Sequence, residues 1–290
     1  MGEINRIRIG PSGNSESFYN AGYKHTYEAA AWLKALGLNA YEYSFGRGVM
    51  ISPAGAQKIC EAFTESGVEI SAHAPYYTNF ANEDDKMIEK SVGYILQSVE
   101  AIRQMGGVRV VFHPASCGKS KREDAFSRAE RNIARMIEKV HETFDAHFPD
   151  YIICPETMGK LQQIGRVEEI ISFCKLDARL YPCYDFGHVN SYMQGGLKDK
   201  DDYRRIIDAT ADALGDEKTK NMHIHFSKIQ SGGSGEIRHL TFADEIYGPR
   251  YEPLAELIDE YKLTPYIVCE SNGTMSEDAL AMKKCHRTPE

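Results

Sequence analysis

Apolar residues recur along this chain in two alternating patterns. Short runs rich in Val, Ile, Tyr and Cys alternate with longer stretches in which apolar side chains return at helical spacing. The short runs predict strands at 5–9, 39–44, 68–73, 108–113, 151–155, 179–185, 220–226 and 265–270. The longer ones predict helices at 25–36, 53–66, 84–105, 121–147, 161–175, 201–214, 251–262 and 276–285. Gly37, Gly67 and Gly106 follow three of these helices directly, where a left-handed residue closes a helix. Alternation of this kind implies parallel strands joined by crossover helices. Eight such units in 290 residues suit a closed (β/α)8 barrel, the α/β TIM barrel, better than an open sheet. No linker, low-complexity tract or charge run divides the chain, so residues 1–290 read as a single domain. Gln230 to Gly235 reads as a flexible loop after the seventh strand, and Gly10 to Gly13 as the loop leaving the first.

Six of the strand-like runs carry a His, Asp or Glu at or near the C-terminal end: His73, His113, Glu156, Asp185, His223 and Glu270. In a (β/α)8 barrel those ends form the open face where chemistry sits. Imidazoles and carboxylates converging there favour zinc or a similar divalent ion. Glu156 and Glu270 follow buried-looking strands, where a carboxylate is costly unless paired or metal-bound. Asp185 and His188 are three apart at one strand end, and both can reach a metal. His223 and His225 are two apart on one strand and share a face. One of them is a candidate ligand and the other a supporting or substrate-facing group; a hydrogen-bonded core histidine stays open for His225. His25, His141, His147 and His286 fall on helix patterns and read as surface or packing residues.

Composition narrows the function. No run of eighteen apolar residues exists, so no transmembrane helix is expected. The first ten residues lack an apolar signal core, which predicts a cytoplasmic protein. The 7 cysteines form no CxxC pair and read as reduced thiols. A formal charge of -8 argues against nucleic-acid binding by bulk charge, although bound divalent cations would offset it locally. The chain has no GxSxG, GxxxxGK[ST] or strand-linked GxGxxG, so neither a nucleophilic serine nor a nucleotide cofactor is expected.

In order along the chain, His73 with Tyr76 and Asn79, His113-Pro114, Glu156-Thr157, Asp185 with His188, His223, His239 and Glu270 resemble the endonuclease IV family of apurinic/apyrimidinic endonucleases, within the wider xylose-isomerase-like barrels. The resemblance implies that Glu156 bridges two metals. His73 and His113 would complete the first site, Asp185, His223 and Glu270 the second, and His188 and His239 a third. It implies two or three zinc ions, with Mn2+ or Fe2+ as alternatives. Glu156 and Glu270 would be the catalytic carboxylates, in metal-assisted hydrolysis of double-stranded DNA 5′ of an abasic site. Tyr76 and Asn79 would lie on a loop that meets DNA, and Arg47, Lys119, Lys121, Arg122, Lys228 and Arg238 would line the binding face of a monomer.

Two positions depart from the family. Its third site uses an Asp-x-His pair, whereas Ile237 stands two before His239; Glu236 substitutes only with a shifted backbone, and without it the third metal is weak or absent. After the strand-seven His-x pair the family has Asn-Asp, and this chain has His225-Phe226. Two other readings remain. One is a sugar isomerase or epimerase holding one ion on Glu156, Asp185, His223 and Glu270 and moving protons between carboxylates. The other is a non-catalytic barrel with a degenerate site.

Overall fold

A computed structural model describes residues 6–46 and 48–286. The chain runs β1 (Arg8–Pro11), α1 (Glu16–Asn20), α2 (Thr26–Leu36), β2 (Ala40–Ser44), α3 (Pro53–Ser66), β3 (Glu69–His73), α4 (Asp85–Gln104), β4 (Arg109–Phe112), β5 (Ala115–Ser116) and α5 (Arg122–Phe144). It continues β6 (Ile152–Pro155), β7 (Gln163–Ile164), α6 (Val167–Lys175), β8 (Cys183–Asp185), α7 (Phe186–Tyr192) and α8 (Lys200–Lys220). It ends β9 (His223–Phe226), β10 (Ile229–Gly232), β11 (Gly235–His239), α9 (Glu252–Glu260), β12 (Tyr266–Cys269) and α10 (Met275–Lys284).

The barrel consists of two four-stranded parallel sheets, ordered β1-β12-β9-β8 and β2-β3-β4-β6. Isolated parallel bridges close the two seams: Ser12 to Glu42 on one side, Ile153 to Leu180 and Glu156 to Cys183 on the other. Strand residues such as Val110, Ile153, Ile224 and Ile267 are wholly buried, because crossover helices cover the outside while side chains fill the inside. Gly37 and Gly67 adopt φ of 80° and 72° and close α2 and α3, as the helix-stop pattern predicts.

The predicted barrel is borne out, with local corrections. The first strand runs on through Gly10 and Pro11, which the sequence assigned to a loop. The segment read as helix from 161 instead pairs β7 with β5 before α6 starts at Val167. The helix predicted to stop at 214 continues past a kink at Gly215 to Lys220. The glycine-rich segment 230–235 lies largely within an antiparallel hairpin, β10–β11. Two short helices, α1 and α7, carry too few residues for a periodic signal. Among the described residues, no helix is long and apolar enough to cross a membrane.

Candidate metal centre

Parallel strands deliver side chains to the same end of the barrel, and the ends of β3, β4, β6, β8, β9 and β12 meet there. The result is a polar cavity of about 590 Å³, lined by His73, His113, Glu156, His188, Glu236, His239 and Glu270 among others. Glu156 lies at its base and is 1% exposed. Four imidazoles face this one carboxylate: His225 Nδ1 at 2.9 Å, His73 Nε2 at 3.1 Å, His113 Nε2 at 3.2 Å and His188 Nδ1 at 3.4 Å.

Backbone carbonyls set two of the rings. His73 Nδ1 donates to Ala74 O at 2.7 Å, so Nε2 turns an unprotonated face toward Glu156 when the ring is neutral. His188 Nδ1 donates to Thr157 O at 2.9 Å and presents Nε2 to Glu236 Oε2 at 3.3 Å. Such outer hydrogen bonds orient metal-binding histidines and fix their tautomers.

Donor atoms converge in three groups at the mouth, each within 4.8 Å: His73, His113 and Glu156; Glu156, Asp185, His225 and Glu270; and Asp185, His188 and His239. Asp185 Oδ1 accepts the His188 backbone N–H at 2.8 Å, while the buried Oδ2 has no hydrogen-bond partner. Burial would raise Glu156, but His225, His113 and His188 outweigh it and hold it well below the usual carboxylate range. Burial pushes Glu270 up. Burial would lower His225 and His188, yet the carboxylates around them raise both well above an ordinary histidine. The groups therefore recruit positive charge at their centre, from protons if nothing else is bound. Two imidazoles and a carboxylate, then an imidazole and three carboxylates, with a buried orphaned oxygen among them, suit divalent zinc, manganese or iron.

The geometry changes one assignment. The resemblance placed His223 with Asp185 and Glu270; the structure converges the donor atom of His225 with theirs. His225 pairs in register with Asp185, whereas His223 pairs with Cys183, one layer deeper, and stacks on Tyr266 at 5.0 Å.

A backbone irregularity brings Glu236 beside the third group. Along a regular strand Ile237 would share a face with His239. In β11 the pairing shifts between Gln230 and Ser231, so Arg238 opposes Gln230 and Glu236 opposes Ser231. Ile237 is the bulged residue, 58% exposed, and Glu236 turns inward beside His239, with 3.7 Å between Oε1 and Nε2. Burial opposes it, but His188 and His239 lower Glu236 to about 2. Glu236 thus stands where Ile237 left a gap in the pattern.

The residues expected to meet DNA divide. Tyr76 stands half exposed at the rim, its ring 5.5 Å from His113 and its hydroxyl 2.8 Å from Ser44 Oγ. Arg238 is exposed and lines the cavity. Asn79 instead braces its loop, its amide oxygen accepting from Ala81 N and Ser116 N at 3.1 Å each. Lys228 is drawn to the carbonyls of Phe242 and Asp244, and Arg122 holds Glu169 with two bonds of 2.8 Å. Arg47 lies outside the described residues. Lys160, Gln163 and Asn272 line the cavity without having been singled out, because nothing in their local sequence marks them.

The sequence pattern of the xylose isomerase-like TIM barrel family matches residues 30–285. The chain belongs to that family. An uncharacterized protein of Methanocaldococcus jannaschii is 31% identical over 261 residues, 90% of this chain and 91% of that one. A probable endonuclease 4 of Staphylococcus carnosus is 30% identical over 179 residues, 59% of this chain and 57% of that one. Among solved structures, endonuclease IV from Thermus thermophilus superposes with a TM-score of 0.67 at 20% identity, covering 89% of this chain and 93% of its own. A D-psicose 3-epimerase superposes at 0.62 with 13% identity, over 89% and 84% of the two chains. The resemblance read from the motifs is borne out, and both structural likenesses establish the shared fold.

Proposed function

We propose that this protein is a metal-dependent phosphodiester hydrolase of the endonuclease IV kind, incising duplex DNA 5′ of abasic sites. The observation that carries the reading is Glu156, shared between two converging donor groups, with a third beside them. His73, His113 and Glu156 would hold one ion, Glu156, Asp185, His225 and Glu270 a second, and Asp185, His188 and His239 a third, with Glu236 beside it. Ions bound there supply the Lewis acidity and the activated water that phosphodiester hydrolysis needs. The chain's own groups do the rest. The carbonyls of Ala74 and Thr157 aim two of the rings. Arg238 and Lys160 add positive charge to a wall that otherwise carries the carboxylates of Glu156, Glu236 and Glu270 among four imidazoles. Tyr76 offers an aromatic face at the rim, suited to a nucleotide turned out of the stack. No side-chain nucleophile is required.

A sugar epimerase would use the Glu156, Asp185, His225 and Glu270 group alone, and the D-psicose 3-epimerase fold gives that reading its support. It leaves His73, His113, His188 and His239 without a role, which is why we rank it second. Metal content and incision of an abasic-site duplex, measured on one sample, separate the two. Two or three ions at the mouth, counted as those lost on Glu156→Ala and Glu236→Ala, with incision support the nuclease; one such ion, no incision and turnover of a ketose support the epimerase. Within the nuclease reading, Glu236→Ala is expected to lose about one ion per chain and about 10–100-fold in incision rate, the scale seen when metal-site partners are removed. Full activity with an unchanged ion count would exclude a third ion on Glu236.

A further inference from the structure

Beneath the mouth lies a second polar layer that the proposed hydrolysis touches only through His225. Glu42 on β2, Cys183 on β8, and His223 and His225 on β9 are all wholly buried. Parallel register sets Cys183 beside His223. One donor atom each from Cys183, His223 and His225 lies within 4.8 Å of the other two. Glu42 Oε2 stands 3.2 Å from His223 Nε2, and Glu42 Oε1 stands 3.0 Å from His225 Nε2. These are hydrogen-bond distances without hydrogen-bond directions. Glu42 Oε1, His225 Nε2 and both ring nitrogens of His223 are buried with no hydrogen-bond partner. Four such atoms in one dry layer call for an unseen partner. Donors that converge on a shared point produce this pattern: atoms about 2.0–2.3 Å from a tetrahedral zinc lie roughly 3–4 Å from one another.

We propose that Cys183, His223 and His225, together with Glu42, form a closed structural zinc site inside the barrel, distinct from the ions at the mouth. Thiolate and carboxylate offset the charge of the ion, which lowers the cost of burying it. With no solvent-facing position the site is structural, not catalytic. His225 is shared: Nδ1 faces Glu156 at the mouth and Nε2 faces Glu42 below, so holding ions on both sides at once would require its ring to give up both N–H protons as an imidazolate. The site also ties β2 of one sheet to β8 and β9 of the other across the barrel interior. None of this depends on DNA being the substrate.

Sulfur distinguishes the two layers, because the mouth groups contain none. The experiment uses the full chain with Cys60 and Cys285, the two cysteines that are not buried, changed to Ser. Refolded with Co2+, it is expected to show a thiolate-to-cobalt charge-transfer band in the near ultraviolet. The band survives Glu156→Ala and disappears in Cys183→Ser, where bound metal falls by about one ion per chain. Absence of the band with Cys183 intact, or an unchanged ion count in folded Cys183→Ser, overturns the site. Should Cys183→Ser not fold, His223→Gln decides: it keeps the thiol, and an unaltered band there is equally fatal. Loss of incision with the band retained would count against the nuclease reading alone.

Discussion

Glu156→Ala is expected to lower incision by at least about 10³-fold and to cost the mouth the two ions that Glu156 helps to hold. Glu156 is the shared member of two donor groups, so its loss removes a ligand from both at once. Its carboxylate also has four imidazoles between 2.9 and 3.4 Å. Truncation leaves those rings facing one another across a buried gap, without the negative charge that helped to attract a cation there. Lewis-acid stabilisation of a phosphoryl transition state is worth several kcal/mol, and each ~1.36 kcal/mol is a factor of ten in rate. Single-turnover incision and metal analysis on the same preparation check the claim. Glu156→Gln sharpens it, because the amide keeps the shape and removes the charge. A glutamine variant that retains its ions and cleaves within about tenfold of the parent would sink the bridging role.

The barrel was legible because both periods were clean. Runs such as VRVVFHP, and helices ending at Gly37 and Gly67, specify their elements locally, and eight repeats leave few architectures open. The converging residues followed from topology, since parallel strands place His73, His113, Glu156, Asp185 and Glu270 at one end. What escaped was depth, register and irregularity. His223 and His225 share a face, and choosing the one at the mouth requires knowing that His225 aligns with Asp185 and His223 with Cys183. Glu42 sits between two tyrosines in AYEYS, a pattern in which an acid reads as solvent-facing. Its burial becomes visible only when the barrel closes, although a strand covered on both faces was already a reason to suspect an inward carboxylate. Glu236 depends on one bulged residue, and Ile237 carries no sign of it. Asn79 and Lys228 lie on the right loops, but hydrogen bonds within those loops occupy them.

Gly10→Ala is expected to destabilise the fold by more than about 4 kcal/mol, in the range reached by few single substitutions. A Cβ built on Gly10 would fall 1.6 Å from Ala40 O and 2.3 Å from Ala40 C. Both are backbone atoms of β2, so no rotamer relieves the clash. The strand must move, and β2 is held on its far side by five paired residues of β3. Domains hold only about 5–15 kcal/mol in total, so the variant should unfold at a far lower urea concentration. The strain also reaches the site. Ala40 and Glu42 are two apart on one face of β2, and both are wholly buried. Displacing Ala40 shifts Glu42 relative to the two histidines of β9. Gly233→Ala is the matched control: nothing lies within 4 Å of its Cβ, and its change should stay within about 0.5 kcal/mol. If Gly10→Ala melts with the control, β1 and β2 do not approach as closely as described, and the placement of Glu42 beside His223 and His225 fails with it.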